Sequence, residues 1–406
     1  MPTESRTISV TRRKAIARRI PQLKVTINQK ALERLQRGHD WIFRSDLTGV
    51  EAEIAGPATV VSEKGKALGE ALYSPKSLIA LRMMTQGQER ITEGLIRERL
   101  RLAHERRREM YPGEEAYRVV FGEADRLPSL IVDRFADVAV FQTLSAGMET
   151  FKETVVSALR ETLDPRSILE RNDSSVRERE GLPLIRQAAW GEAPEEVAFR
   201  FSGKTFSFPA LEGQKTGFFL DQRYNAEAAA RYARGEMLDA FCYVGQFGLH
   251  AAPRAKSVLC VDASEPALAQ ARRNAERNGL ANVETRGANA FDFLKECDQE
   301  GRRFDTVSLD PPAFVKNRAA LKPALRGYKE INLRAMRLLR PGGILVTSSC
   351  SQHLSPELFE KTLAEAARDA RRRVQVLEKR GQPADHPVLL AMPETDYLKC
   401  WILRVE

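Results

Sequence analysis

The chain has 406 residues, 43% of them apolar and 29% charged, and 64 Lys+Arg against 55 Asp+Glu leave a net charge of +9. That length exceeds one ordinary core, so two or three domains are expected, and with no run of about 18 apolar residues a membrane-spanning helix is excluded. Five cysteines without a CxxC spacing exclude a disulfide framework and a structural zinc site, so no metal is expected and the protein is placed in a reducing cytoplasm; the basic excess points to a polyanionic partner.

Residues 1–22 carry Arg12-Arg13-Lys14 and Arg18-Arg19 without periodicity or an apolar h-region, and read as a flexible basic arm rather than a signal peptide. Residues 23–90 are strand-rich: Lys24–Ile27, Ala58–Val61, Ala67–Tyr73 and Leu78–Met83 recur at the spacing of a small β-barrel, with a short helix near Ala31–Arg37. The stretches Gly38–Phe43 and Gly69–Ala80 resemble a PUA domain, a barrel found attached to RNA-modifying enzymes, and Trp41 and Phe43 are expected in its core. Residues 91–195 read as an α+β middle domain without a catalytic constellation: an amphipathic helix over Ile91–Met110, three strands, a helix over Glu149–Thr162 and a strand at Ser167–Glu170. Arg106-Arg107-Arg108 adds to the basic count.

Residues 196–406 alternate strand and helix. A hairpin ending near Pro209 leads into Leu211–Asn225, either a linker or a lid offering Gln222 and Arg223 as donors. Met237–Phe241 is a strand carrying Asp239, followed by a loop with Gly245 and Gly248 and then a helix. The next strand, Ser257–Asp262, ends in an acid placed like the ribose-binding acids of nucleoside sites, before a helix capped by Ser264. Phe304–Leu309 ends in Asp310-Pro311-Pro312-Ala313-Phe314, where the prolines stop the ladder and fix the chain. Ile344–Thr347 ends in Ser348-Ser349-Cys350-Ser351, and Val374–Lys379 with Leu398–Val405 can close the sheet as an antiparallel pair.

The first strand is followed by Gly-x-x-Gly and not the dinucleotide GxGxxG. With the Asp262 spacing and Asp-Pro-Pro, this resembles the Rossmann-like class I S-adenosylmethionine-dependent methyltransferase fold, with its seven-stranded sheet. Cofactor contacts are expected from Gln222, Arg223, Asp239, Phe241, Gly245, Gly248, Asp262, Ala263, Asn289 and Asp310. Asn289 stands where relatives usually carry Asp; its amide oxygen can still accept from an adenine amine. Cys350 suggests the reaction, because C5 of a pyrimidine becomes nucleophilic once a thiolate adds to C6. Asp310, protonated, could then hydrogen-bond N3. Two alternatives stay open: an exocyclic-amine methyltransferase stacking a base on Phe314, which needs no cysteine, and a non-catalytic RNA-binding assembly factor.

The segments Lys215–Arg223, Asp310–Val315, Arg326–Asn332, Ser349–Ser351 and Asp385–Pro387, in this order behind a PUA-like start, are similar to the bacterial large-subunit ribosomal RNA cytosine-C5 methyltransferases of the RlmI type. The resemblance implies a multidomain α/β enzyme, Cys350 as nucleophile, a 23S ribosomal RNA target and a homodimer. It also implies substrate contacts from Pro311, Pro312, Phe314, Lys316 and Tyr328. Other RNA cytosine-C5 methyltransferases carry a second cysteine after the paired prolines; here that place is Ala313. His386 is open between orienting the cysteine loop and capping a turn.

Overall fold

The computed structural model describes residues 23–50, 52–213, 215–315 and 320–406. The basic arm at 1–22 and the substrate contact expected from Lys316 lie outside them. In the first segment, Gly56–Ser62 buries every second residue, as a strand with one face on a core must. It lies inside a six-stranded sheet in the order Trp41–Phe43, Ile79–Met83, Ala67–Tyr73, Gly56–Ser62, Leu23–Ile27, Leu47–Val50. The helix Gln29–Gln36 starts at Asn28, whose side chain accepts from the Ala31 amide. The core expected around Trp41 and Phe43 is displaced by one register position. Ile42 points inward and is fully buried, while Trp41 and Phe43 sit half-buried on the opposite face. There Trp41 Nε1 donates to Glu123 Oε1 of the middle domain at 2.9 Å, and the Arg34 guanidinium lies 4.8 Å from the Phe43 ring centroid.

The middle domain is a five-stranded sheet running Ile185–Trp190, Ser167–Asn172, Val138–Thr143, Leu130–Phe135, Ala116–Phe121. The helices Glu93–Met110 and Lys152–Leu163 cover one face through Ile96, Leu100, Val155 and Leu159. The other face packs on the hairpin Glu196–Phe201/Lys204–Pro209, whose Phe199, Phe201, Phe206 and Phe208 also meet Phe218, Val244 and Leu249. That phenylalanine layer joins the middle and C-terminal domains as one core. The Arg106–Arg108 cluster is largely structural: Arg107 is buried and bidentate to Asp125 at 2.5 and 2.7 Å, and Arg106 pairs with the same carboxylate at 2.8 Å.

The C-terminal sheet has seven strands: β1 (Glu236–Ala240), β2 (Ser257–Asp262), β3 (Val283–Gly287), β4 (Phe304–Leu309), β5 (Leu339–Ser349), β6 (Val374–Arg380) and β7 (Lys399–Val405). Their spatial order is β3-β2-β1-β4-β5-β7-β6, and β7 alone runs against its neighbours. Helices cover both faces, so β1, β4 and β5 are buried over most of their length, apart from the entry to β5 at Arg340-Pro341. The chain runs from β1 to β2 and β3 on one side and then crosses to β4 on the other, which opens a crevice at the carboxyl ends of β1 and β4. Among the described residues no helix is long and apolar enough to cross a membrane, and no cluster of His, Cys, Asp or Glu could hold a metal ion.

Candidate active site

The carboxyl ends of β1, β2, β4 and β5 open onto a cavity of about 410 Å³, a size typical of small-molecule sites. Gln222, Phe241, Asp262, Ala263, Asn289, Asp310, Pro311, Pro312, Phe314 and Cys350 all line it. Arg223, Asp239, Gly245, Gly248 and Tyr328 do not.

After β1 the backbone takes left-handed conformations at Phe241 (φ 62°) and Tyr243 (φ 51°), which cost side-chain-bearing residues and persist only where the surroundings enforce them. The enforcement comes from Asp262: its Oδ2 accepts from the Tyr243 amide and its Oδ1 from the Ser264 amide, both at 2.9 Å. Each carboxylate oxygen keeps a lone pair for a ligand hydroxyl. Asp239 lies beneath the loop and not in it, accepting from the Gly248 amide at 2.8 Å. Burial pushes its carboxyl up to about 7, against that hydrogen bond. A Cβ at Gly248 would come within 2.8 Å of Cys260 Sγ and 3.0 Å of Asp239 Oδ2, so glycine is needed for the helix to approach the sheet. Asn289 caps the helix Ala290–Glu300, its Oδ1 accepting from the Phe291 amide at 2.9 Å; the second lone pair of that oxygen remains.

Arg223, expected as a cofactor donor, is buried elsewhere. It pairs with Glu114 at 2.7 Å, donates to the Ala116 carbonyl and stacks on Phe201 and Tyr111. Its charge is consumed in joining the domains.

Cys350 follows the last residue of β5, and its loop is held from three sides. Tyr328 Oη accepts from Ser349 Oγ at 2.8 Å and meets Ser351 Oγ at 3.0 Å; the Val315 amide donates to Ser351 Oγ at 3.2 Å; and buried Lys399 donates to the Ser351 carbonyl at 2.8 Å. Tyr328 is fully buried with its ring centroid 4.6 Å from that of Phe314, so it braces the cysteine loop and Phe314 from below the cavity, out of reach of a substrate. Burial pushes the Cys350 thiol up to about 11; Lys215 opposes this, and Asp310 and Asp221 add to it. Cys242, Cys260, Cys297 and Cys400 are buried, although Cys242 touches the cavity.

Asp310 follows β4. Gln222 Nε2 donates to its Oδ1 at 2.8 Å, and the Gln222 amide is itself oriented by Asn225 Nδ2 donating to its Oε1 at 2.6 Å. Burial pushes the Asp310 carboxyl up to about 7, the negative charge of Asp221 acting in the same direction.

Residues 25–86 match a PUA-like domain family and residues 233–385 a methyltransferase domain family. Over 389 residues the chain is 41% identical to the ribosomal RNA large subunit methyltransferase I of Tolumonas auensis, covering 93% of this chain and 98% of that one. It is 39% identical over 382 residues to the protein of the same name from Shewanella denitrificans, covering 91% and 96%. The chain belongs to the ribosomal RNA large subunit methyltransferase I family. A protein of Streptococcus mutans assigned as a SAM-dependent methyltransferase shares the fold over 94% of this chain and all of that one, with a TM-score of 0.82 at 19% identity. A further methyltransferase structure, complexed with SAH, matches over 94% of this chain at a TM-score of 0.83 and 19% identity. The cofactor of this methyltransferase is S-adenosylmethionine, and the cavity fits it: a fixed carboxylate at the end of β2, a close backbone after β1, and a polar cap with Phe291 beside it.

Four residues of the methyltransferase were not singled out from sequence: Lys215, Asp221, Tyr397 and Lys399. Lys215 and Asp221 line the cavity, and Tyr397 Oη donates to Asp221 Oδ2 at 2.6 Å. The first two lie inside the family segment Lys215–Arg223, which was the available signal. Tyr397 and Lys399 sit at the start of β7 and carry no local pattern. His386 does not bond the cysteine loop, and its backbone amide closes the turn at Ala384-Asp385 by donating to the Pro383 carbonyl at 2.9 Å. It is buried against Phe121 with Asp385 Oδ1 2.9 Å from its Nδ1, while Asp385 accepts from the Arg118 amide and from Arg107. The Asp385–Pro387 signature thus fastens the β6–β7 connection to the middle domain.

Proposed function

We propose that the protein methylates C5 of a cytosine in 23S ribosomal RNA, with Cys350 as the nucleophile and Asp310 as the acid at N3. The observation that carries this reading is that Asp310 and Cys350, at the ends of neighbouring strands β4 and β5, line one cavity with Asp262. The names of the relatives and the PUA-like domain support a large-subunit RNA target.

Asp262 would hold the ribose hydroxyls of the cofactor, and Asn289 with Phe291 the adenine. When bound, S-adenosylmethionine supplies an electrophilic methyl group to C5. The Cys350 thiolate adds to C6, which breaks the ring's aromaticity and moves electron density to C5. Protonated Asp310 hydrogen-bonds N3 as charge develops there; its Oδ1 is held as an acceptor by Gln222, so the proton belongs on the other oxygen. Lys215 favours the thiolate by its charge. A base takes the C5 proton, the electrons of that bond re-form the C5–C6 double bond, and Cys350 leaves as the thiolate. The five cysteines are free thiols, in keeping with a reducing cytoplasmic setting.

The test is nucleoside mass spectrometry of deproteinised 23S RNA incubated with labelled S-adenosylmethionine and either wild type or Cys350→Ala. Label in 5-methylcytosine with wild type alone supports the reading. Label in a purine, or an unaffected mutant, points instead to exocyclic-amine methylation.

A further inference from the structure

Asp221 is 6% exposed and lines the cavity beside Asp310 and Cys350. Its two oxygens are unequal. Oδ2 accepts from Tyr397 Oη at 2.6 Å, whereas Oδ1 is buried and has no hydrogen-bond partner. A buried carboxylate oxygen without a partner is costly unless a ligand supplies a donor. Its neighbour Asp310 is the reverse case: Oδ1 is occupied as an acceptor by Gln222, and that amide cannot turn over, because Asn225 donates to Gln222 Oε1 and is itself fixed by donation to the Gly381 carbonyl at 3.1 Å.

We propose that Asp221 selects cytosine over uracil, its unpartnered oxygen accepting from the exocyclic 4-amino group while Asp310 donates to N3. This rests on the cytosine-C5 reading above. Adjacent on the cytosine ring are a donor (the 4-amino group) and an acceptor (N3); uracil presents the opposite order, an acceptor at O4 and a donor at N3. An ionised carboxylate next to a protonated one matches the first edge and clashes with the second at both positions. The charge states follow the surroundings. The charges of Lys215, His386 and Arg118, with the Tyr397 hydroxyl, outweigh burial and hold the Asp221 carboxyl below its usual range, while burial and Asp221 itself keep Asp310 protonated.

The experiment uses the full chain and two RNA transcripts spanning the cytosine located by mass spectrometry, one of them with uridine at that position. In Asp221→Asn the Tyr397 hydroxyl still donates to the remaining oxygen, which turns the amide NH2 toward the place of the unpartnered one. Cytosine kcat/KM is expected to fall about a hundredfold while uridine becomes a substrate, so the cytosine-to-uridine ratio collapses. S-adenosylmethionine affinity is expected to stay within about threefold, since Asp221 is not among the groups assigned to the cofactor. An unchanged ratio in a folded variant overturns the role of Asp221 and leaves the cytosine-C5 reading standing. A wild type that makes no 5-methylcytosine overturns both. Should Asp221→Asn not fold, Tyr397→Phe decides: it leaves the carboxylate but releases its tether, and cytosine kcat/KM is expected to drop about tenfold with uridine still excluded; unchanged kinetics overturn the proposal.

Discussion

The cavity receives Asp310 from the strand ends of the C-terminal sheet and Asp221 from the segment between the hairpin and β1, and the two behave oppositely. Asp310, at a strand end, has a glutamine for a partner and two carboxylates for neighbours, and its carboxyl rises to about 7. Asp221, on the connecting segment, has a tyrosine hydroxyl and three basic side chains nearby, and its carboxyl falls although it is the more buried of the two. Burial alone would raise both, so the neighbours decide. Asp310 at its strand end is therefore poised to hold a proton near neutral pH, and the carboxylate on the segment helps to keep it there.

The largest effect expected belongs to the nucleophile. Cys350→Ala should lower 5-methylcytosine formation by about 10⁴-fold or more, because the other thiol at the cavity, Cys242, is buried and burial pushes its titration well above the ordinary range. Asp310→Asn comes next, with a loss of about 10²- to 10³-fold in kcat, because the amide can still donate to N3 but cannot give up a proton as charge develops there. It also sharpens the comparison through pH. The wild-type rate should lose its Asp310-dependent part as pH rises past about 7, and an amide cannot titrate, so the variant should lack that descending limb. A variant that keeps the limb would break the assignment of Asp310 as the acid.

Stability gives an independent reading of the same group. A carboxyl whose folded pKa lies above its unfolded value binds an extra proton in the folded state between the two values. Its contribution is fully present below about 4 and is lost as pH rises through about 7. Asp310 and Asp239 both act this way, so the melting temperature should carry a decline between about pH 4 and 7, and Asp310→Asn should flatten part of it. An unchanged slope would mean that Asp310 is ionised at neutral pH like Asp221.

Lys215→Met probes the segment. Removing a cation that favours the thiolate should cost about tenfold in rate at neutral pH, corresponding to about one unit in the thiol's titration, and should be rescued by raising the pH. Loss without alkaline rescue would show that Lys215 acts on RNA and not on Cys350.

The strand ends were legible in the sequence and the segment was only half so. Asp262, Asp310 and Cys350 each terminate an apolar run, and in a parallel sheet such positions must converge. Asp239, Gly245 and Gly248 follow the same pattern but serve the loop from beneath, a distinction that depends on a 2.8 Å approach no spacing reveals. On the segment, Gln222 was recognised as a donor facing the cavity, but Arg223 next to it turns into the domain joint, because Glu114 and two aromatic faces offer it a better site. Adjacent polar residues entering a helix point in different directions, and only tertiary partners say which faces the ligand. Tyr328, expected at the substrate by the resemblance alone, is fully buried, with its hydroxyl bridging Ser349 and Ser351.

That bridge yields the smallest effect. Tyr328→Phe keeps the ring packed on Phe314 and removes a hydroxyl that meets two serine side chains beside Cys350. The loss of a buried hydrogen-bonding group should destabilise the fold by about 1–2 kcal/mol. Lys399 and the Val315 amide still hold Ser351, so the cysteine loop should loosen without collapsing, and kcat should fall only about two- to fivefold with KM for RNA unchanged. A raised KM with unchanged kcat would put Tyr328 in contact with the RNA after all, on the substrate side of the strand ends and not beneath them.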